Sequence, residues 1–335
     1  MIQDARAFDQ QFVPKELHHR EGAIDALTSA LAPLADGSNG EDVILTGPSG
    51  VGKTTLAKYT CERLEGEAFG VNWGYVNCMS ESSRTGALFE LTRSGNLAMD
   101  LRMEGTPSRL FLQRLRDFDG QFVAVVDEVD ILDDQSVLQS LYEIPHVSMV
   151  LVCVDEDTLF RDLDQRVASR LRSARSVTLE RYSHAELVDI LDDRVEVGFR
   201  EGSVKPKVVE GVADVAAGDA RLGISLLRHA AQRCLDADRE TVGLDDVVAV
   251  ADDARAEIAT RYVETLSTHQ RLLHEIIREQ GEVSASTLHE LYEEQASEVR
   301  AKSTRREYLR AMEEAGVVQS RGKGKGIRYN CDSYG

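Results

Sequence analysis

Gly47-Pro48-Ser49-Gly50-Val51-Gly52-Lys53-Thr54 matches G-x-x-x-x-G-K-[ST] without a gap. It lies between an apolar run, Asp42–Thr46, and a helical pattern over Thr54–Leu64. Glycines let such a loop turn its backbone N–H groups inward onto phosphate oxygens, and the N-terminus of the following helix adds favourable dipole charge. The pattern therefore assigns Gly47, Pro48, Ser49, Gly50, Val51, Gly52, Lys53, Thr54 and Thr55 to the phosphates of ATP or ADP. Lys53 would reach the β and γ phosphates, and the Thr54 hydroxyl would ligate Mg²⁺. A strand–loop–helix of this kind commits the chain to a parallel α/β sheet.

The residues up to about 180 alternate short apolar runs with helical patterns, as that sheet requires. Runs occur at Val43–Leu45, Tyr75-Val76, Phe122–Val126, Val147–Val154 and Val177–Leu179. Two of them are almost uniformly apolar, which predicts strands buried on both faces. The run at Gln121–Val126 ends in Asp127-Glu128, a carboxylate pair at the ligand-binding edge of a parallel sheet. Asp127 can hold Mg²⁺, and Glu128 can orient and polarise an attacking water.

Two further pieces follow, giving expected domains at 1–180, 181–260 and 261–335. The second contains no convincing strand and reads as four helices, the first opened by the capping-box pattern Ser183-His184-Ala185-Glu186. The third reads as helices over Gln270–Gln280, Ala285–Gln295 and Thr304–Ala315, then a β-hairpin. The pattern Thr304-Arg305-Arg306-Glu307 predicts a capping box at the last helix start. Three helices and a hairpin follow the winged-helix plan, which lays its third helix in the major groove of DNA. Arg305, Arg306 and Arg310 lie on that helix, with Leu309 and Met312 facing the core. The hairpin carries Arg321, Lys323, Lys325 and Arg328 among glycines, a pattern suited to phosphates or the minor groove.

The overall charge at first opposes a nucleic-acid partner, because 58 acidic residues outweigh 39 basic ones, a net −19. The excess is uneven. Between Arg300 and Arg328 nine basic residues face three acidic ones. Only eight of the 39 basic residues are lysine, and an acidic, lysine-poor surface resembles that of proteins from salt-loving archaea. The five cysteines are scattered and never spaced C-x-x-C, which excludes a disulfide scaffold and a common zinc site and suits a reducing cytoplasm. No apolar run approaches the roughly 20 residues of a membrane span, and the first residues lack a secretory pattern.

Taken with these motifs, the chain resembles an AAA+ ATPase, and more narrowly the archaeal initiators related to the origin recognition complex and cell-division-control proteins. Phe12-Val13-Pro14-Lys15-Glu16-Leu17-His18-His19-Arg20-Glu21 is similar to that family's base-binding segment, which implies that Val13 and Pro14 pack near adenine. Leu163–Leu171 resembles its arginine-finger region, where Arg166 or Arg170 would reach a nucleotide held by a neighbouring subunit. Gly218-Asp219-Ala220-Arg221-Leu222-Gly223 resembles its sensor-two segment, which implies an Arg221 contact with the γ phosphate. Gly105–Arg109 and the helix after it occupy the place of an initiator-specific insertion.

One residue departs from the family. Asp155 stands where the sensor-one Asn belongs, and an ionised Asp accepts hydrogen bonds but cannot donate one. That substitution implies slow ATP hydrolysis, or a segment aligned one residue out of step with the family. The resemblance implies a replication initiator that binds double-stranded origin DNA, self-associates or joins paralogues there, and helps load the replicative minichromosome-maintenance helicase. Two other readings remain: an ATP-gated DNA-binding regulator, and a loader ATPase whose C-terminal domain docks protein.

Overall fold

The structure, a computed structural model, describes residues 1–335 apart from 10, 11, 15, 265, 297, 298, 323–325 and 332–335. The chain forms two compact units. The first, an α/β unit, comprises Asp9–Asp193 and Ala217–Ala220. Its strands are β1 (Val43–Thr46), β2 (Val71–Asn77), β3 (Gln121–Asp127), β4 (Val147–Val152) and β5 (Arg175–Thr178). They are parallel and run in the order β2-β3-β4-β1-β5.

Alternation along the strands divides the core in two. On β3, Val123 and Val125 face one cluster while Phe122, Ala124 and Val126 face the other. The first face is covered by α1 (Glu21–Leu31) and α2 (Lys53–Glu67), through Leu27, Leu31, Leu56 and Ala57. The second is covered by α3 (Arg84–Ser94), α4 (Ser108–Arg116) and α5 (Ser136–Tyr142), through Leu88, Leu91, Phe111, Leu115 and Leu138. Two short helices, α6 (Glu156–Asp162) and α7 (Gln165–Leu171), lie between β4 and β5. Helices on both faces explain why β3 and β4 are apolar over most of their length: neither side meets water.

The second unit comprises Met1–Phe8, Arg194–Ala216 and Arg221–Gly335. Connecting from the first is α8 (His184–Gly198), which opens on the Ser183–Glu186 capping box: Ser183 N–H donates to Glu186 Oε2 at 2.7 Å and Glu186 N–H to Ser183 Oγ at 3.3 Å. There follow α9 (Pro206–Ala216), α10 (Ala220–Asp236), α11 (Leu244–Ala249) and α12 (Ala251–Glu264). The C-terminal part contains α13 (Thr268–Gln280), β6 (Glu282–Ser284), α14 (Ala285–Gln295), α15 (Lys302–Glu314), β7 (Val318–Arg321) and β8 (Arg328–Cys331). The three strands form an antiparallel sheet in the order β6-β8-β7. Its core joins Leu273 and Ile277 of α13, Leu288 and Tyr292 of α14, and Leu309 and Met312 of α15.

Several details differ from the sequence expectation. Five helices, not four, span residues 184–264. The boundary at 260 falls inside α12, whose Ala259, Tyr262 and Val263 pack into the C-terminal core. Residues 1–8 belong with the second unit: Gln3 N–H donates to Gly198 O at 2.7 Å, and the Phe8 and Phe199 rings meet edge-on at 5.0 Å. Helix α15 starts at Lys302, so Thr304 sits inside it and caps nothing. The capping box in this part lies at Ser267–Gln270, ahead of α13.

Candidate nucleotide site and basic surface

The phosphate loop leaves β1 and enters α2, and close backbone approach explains its glycines. Gly50 has φ 78°, and a Cβ there would lie 2.0 Å from Asp219 Oδ1. Gly47 has φ 142° and lies against the Leu179 carbonyl, 2.3 Å from where its Cβ would be. A side chain at either position would be strained. The outer side of the loop is also held by hydrogen bonds. Ala220 N–H donates to Gly50 O at 3.1 Å, and Arg20 NH2 donates to Val51 O at 3.1 Å and to Glu180 O at 2.9 Å. The Arg20 guanidinium stacks 3.8 Å from the centre of the Tyr182 ring.

Lys53 is buried, and its Nζ donates to Gly47 O at 2.6 Å and Pro48 O at 3.0 Å, so the ammonium lies within the curl of the loop. Thr54 Oγ1 donates to Asp127 Oδ2 at 2.7 Å, bringing the first turn of α2 against the end of β3. Thr55 is half-buried on the same turn. Strand register explains the meeting: Asp127 lies level with Val152 of β4, and Leu45 of β1 lies level with Val152 from the other side. The loop and the carboxylate thus emerge at one edge of the sheet.

Asp127 is 2 % exposed, and its Oδ1 accepts from Glu128 N–H at 3.1 Å. Glu128 adopts φ 53°, ψ 45°, the left-handed region that non-glycine residues seldom occupy. Such a conformation costs about 1–3 kcal/mol and gathers at functional sites. Here it breaks the strand's alternation directly after the buried carboxylate. Asp155 is exposed just beyond β4, where its carbonyl accepts from Leu159 N–H at the start of α6. Its neighbour Val154 accepts from Gly47 N–H at 3.2 Å, so this segment borders the phosphate loop. The buried thiol of Cys153 is pushed well up, chiefly by burial and next by the Asp130 carboxylate.

The oxygen donors of Thr54 and Asp127 suit Mg²⁺, which takes one or two protein oxygens together with phosphate oxygens and water. Among the described residues no cluster of three His, Cys, Asp or Glu side chains offers an alternative metal cage.

The other candidate residues lie on other elements. Val13 and Pro14 are half-buried in the stretch before α1. On α7, Arg166 is exposed, while Arg170 is half-buried with its guanidinium 4.9 Å from the centre of the Tyr142 ring. Arg221 follows Ala220 directly in α10 and is half-buried. Tyr75, Lys58, Arg20 and Tyr182 carry no motif that marks them as site residues. Of these, only Arg20 falls in a stretch with a sequence resemblance.

The basic residues of the C-terminal part divide sharply. Arg305 is 3 % exposed: it donates to Glu293 Oε1 at 2.6 Å and to His289 O at 3.0 Å, and lies 5.0 Å from the centre of the Tyr292 ring. It is a strut between α14 and α15, which corrects its placement among the groups presented to DNA. Arg306 and Arg310 are exposed on α15. Arg321 is exposed at the end of β7, and Arg328 is exposed on β8 with its Nε 3.4 Å from Glu282 Oε2. Lys323 and Lys325 lie outside the described residues.

Comparison with known proteins agrees with this architecture. Residues 16–152 match the model of the AAA ATPase domain, and residues 188–252 match that of the Cdc6 AAA+ ATPase-type lid domain. The chain is 39 % identical over 293 residues to ORC1-type DNA replication protein 1 of Halobacterium salinarum, covering 87 % of this chain and 95 % of that one. It is similar to the structure of the Aeropyrum pernix ORC1 protein in complex with DNA, with TM-score 0.73, 26 % identity, and coverage of 99 % of this chain and 94 % of that one. It is also similar to the Aeropyrum pernix ORC2 protein in its ADPNP-ADP complexes, with TM-score 0.66, 25 % identity and coverage of 99 % and 94 %. A nucleotide-binding α/β sheet, a lid of the Cdc6 type and near-complete coverage at this identity establish that the chain belongs to the archaeal Orc1/Cdc6 family of AAA+ DNA replication proteins.

Proposed function

We propose that the chain is an ATP-switched replication initiator that grips double-stranded origin DNA through a C-terminal winged helix and promotes loading of the replicative minichromosome-maintenance helicase. The observation that carries this reading is one chain's possession of two features. A phosphate loop has its Thr54 hydroxyl on Asp127 at 2.7 Å, and a three-helix, three-stranded C-terminal part presents Arg306 and Arg310 on one helix. The DNA complex of the Aeropyrum pernix relative supports the second half. This reading places the protein on the nucleoid.

Within it, Lys53 contributes a fixed cation beside the β and γ phosphates, and α2 directs its N-terminal N–H groups at the same anion. Thr54 and Asp127 hold Mg²⁺, which when bound neutralises charge on the phosphate oxygens. Glu128 takes the proton of the attacking water. Arg221 answers to the γ phosphate, so that ATP and ADP select different arrangements of the lid. An arginine of α7, Arg166 or Arg170, serves a nucleotide on a neighbouring copy. The exposed Asp155 side chain offers no donor when ionised, which favours a long-lived ATP state over rapid turnover.

Anisotropy of an origin-region duplex and a random duplex, with ATP or ADP across a salt series, tests the proposal. Tighter binding to the origin duplex, and a nucleotide-dependent affinity, are expected. Equal, weak binding to both duplexes under every condition would favour the protein-docking reading.

A further inference from the structure

Asp127 Oδ2 accepts two hydrogen bonds, one from Thr54 Oγ1 at 2.7 Å and one from Tyr75 Oη at 2.9 Å. The first belongs to the phosphate-loop pattern. The second comes from β2, an edge strand, where Tyr75 lies level with Val125 and so shares the face of the sheet that carries Asp127. The Tyr75 hydroxyl also meets the Asn77 side chain. Asn77 Oδ1 accepts from Met79 N–H at 2.8 Å, which leaves its amide to donate. Lys58, one helical turn beyond Thr54 on α2, holds Nζ 3.8 Å from the centre of the Tyr75 ring. A cation over the ring face draws electron density from the phenol and strengthens its O–H as a donor. The constellation therefore ties α2, β2 and β3 together at one carboxylate oxygen.

We propose that Tyr75 is a positioning residue that fixes the Asp127 carboxylate for a divalent cation, with Lys58 holding the phenol in place. The proposal rests on the nucleotide and Mg²⁺ reading above. A carboxylate turns broadly about its terminal torsion, and Thr54 alone leaves that rotation loosely limited. With Tyr75 and Glu128 N–H also bound, both oxygens are fixed in position. The Thr54 proton is then committed to Oδ2, and its lone pairs are free for a cation beside the phosphate loop. The Tyr75 hydroxyl touches neither the phosphate loop nor Lys53 among the described contacts, so it acts through Asp127. Its loss should be felt when the cation is bound, and hardly at all when nucleotide binds alone.

The test uses the full chain and a fluorescent ATP analogue, titrated in EDTA and then in Mg²⁺ from micromolar to millimolar. Tyr75→Phe should leave the affinity in EDTA within about twofold of the parent and raise the Mg²⁺ midpoint about tenfold, the usual scale for losing a partner of a metal ligand. Lys58→Met, which keeps the aliphatic stem, should move the midpoint in the same direction by less. An unchanged midpoint in Tyr75→Phe overturns the proposal, as does an equal loss of affinity with and without Mg²⁺, which marks a packing defect. If Tyr75→Phe does not fold, as judged by its thermal unfolding, Lys58→Met decides alone by the same criteria. A parent that binds no nucleotide removes the underlying reading, an outcome distinct from a parent that binds and a variant that matches it.

Discussion

Asp127 and Glu128 are adjacent in sequence but sit in different surroundings. One is buried among donors, and the other turns off the strand in a left-handed conformation. Under the proposed function that separation gives each its own task. Glu128→Gln keeps the shape and loses the proton acceptor, so it should retain ATP while turnover falls by about 10²-fold or more. Single-turnover hydrolysis alongside nucleotide binding checks this, and parental turnover would assign the water to another residue. The arginines of α15 allow an equally local test. Arg305→Ala removes a buried stem and its hydrogen bonds to α14, and should cost about 2–3 kcal/mol of stability. Arg306→Ala should stay within about 0.5 kcal/mol of the parent while weakening DNA binding. Thermal unfolding and anisotropy on both variants separate the roles, and an unchanged melting temperature for Arg305→Ala would remove the strut. This distinction was partly legible in the sequence. Arg305 precedes Leu309 by four residues and Met312 by seven, the spacing of the buried face. Its charge suggested the outside, and only the carboxylate of Glu293 and the ring of Tyr292 explain why it is inside.

The elements show what pattern can and cannot supply. Continuous apolar runs located β3 and β4 because strands covered on both faces have no polar side. The phosphate loop was legible because its chemistry requires fixed residue types at fixed spacing. Tyr75 was not, since its partner depends on β2 lying beside β3, a long-range pairing that no local pattern encodes. The start of α15 was misplaced for a related reason: a Thr–Glu spacing resembles a cap wherever it occurs, while the helix is extended by packing of its buried face. That packing also has a pH dependence. His289 is 3 % exposed, and burial, then the Arg305 cation, depress its pKa to about 4 from the usual 6.5. Lys302 and Arg306 act in the same direction and Glu293 opposes them. Between these values the unfolded chain binds a proton that the folded chain does not. The stability that His289 contributes is therefore full above about pH 6.5 and falls as pH drops toward 4, by up to about 1.4 kcal/mol per pH unit. Protection factors of the α14 amides, taken against the intrinsic exchange rate at each pH, should fall over that window in the parent, and His289→Gln should flatten the trend. An identical pH dependence in both would assign it elsewhere.

Across the whole molecule, the net charge of −19 and the basic run from Arg300 to Arg328 divide the labour between solvent and partner. An acidic surface keeps a protein apart from its neighbours, and in concentrated salt its long-range repulsion of DNA is screened within a few ångströms. Phosphate attraction is screened as well, so direct base contacts and the shape of the duplex carry a larger share of recognition. An initiator built this way should select its sites by fit. Immunoprecipitation of the chain from its own cells, with replication starts mapped in the same culture, separates an initiator from a regulator. Sharp occupancy is expected at one or a few sites that coincide with replication starts, and it should be lost in Lys53→Ala. Occupancy concentrated at promoters away from every start, or spread evenly along the chromosome, would contradict the initiator reading.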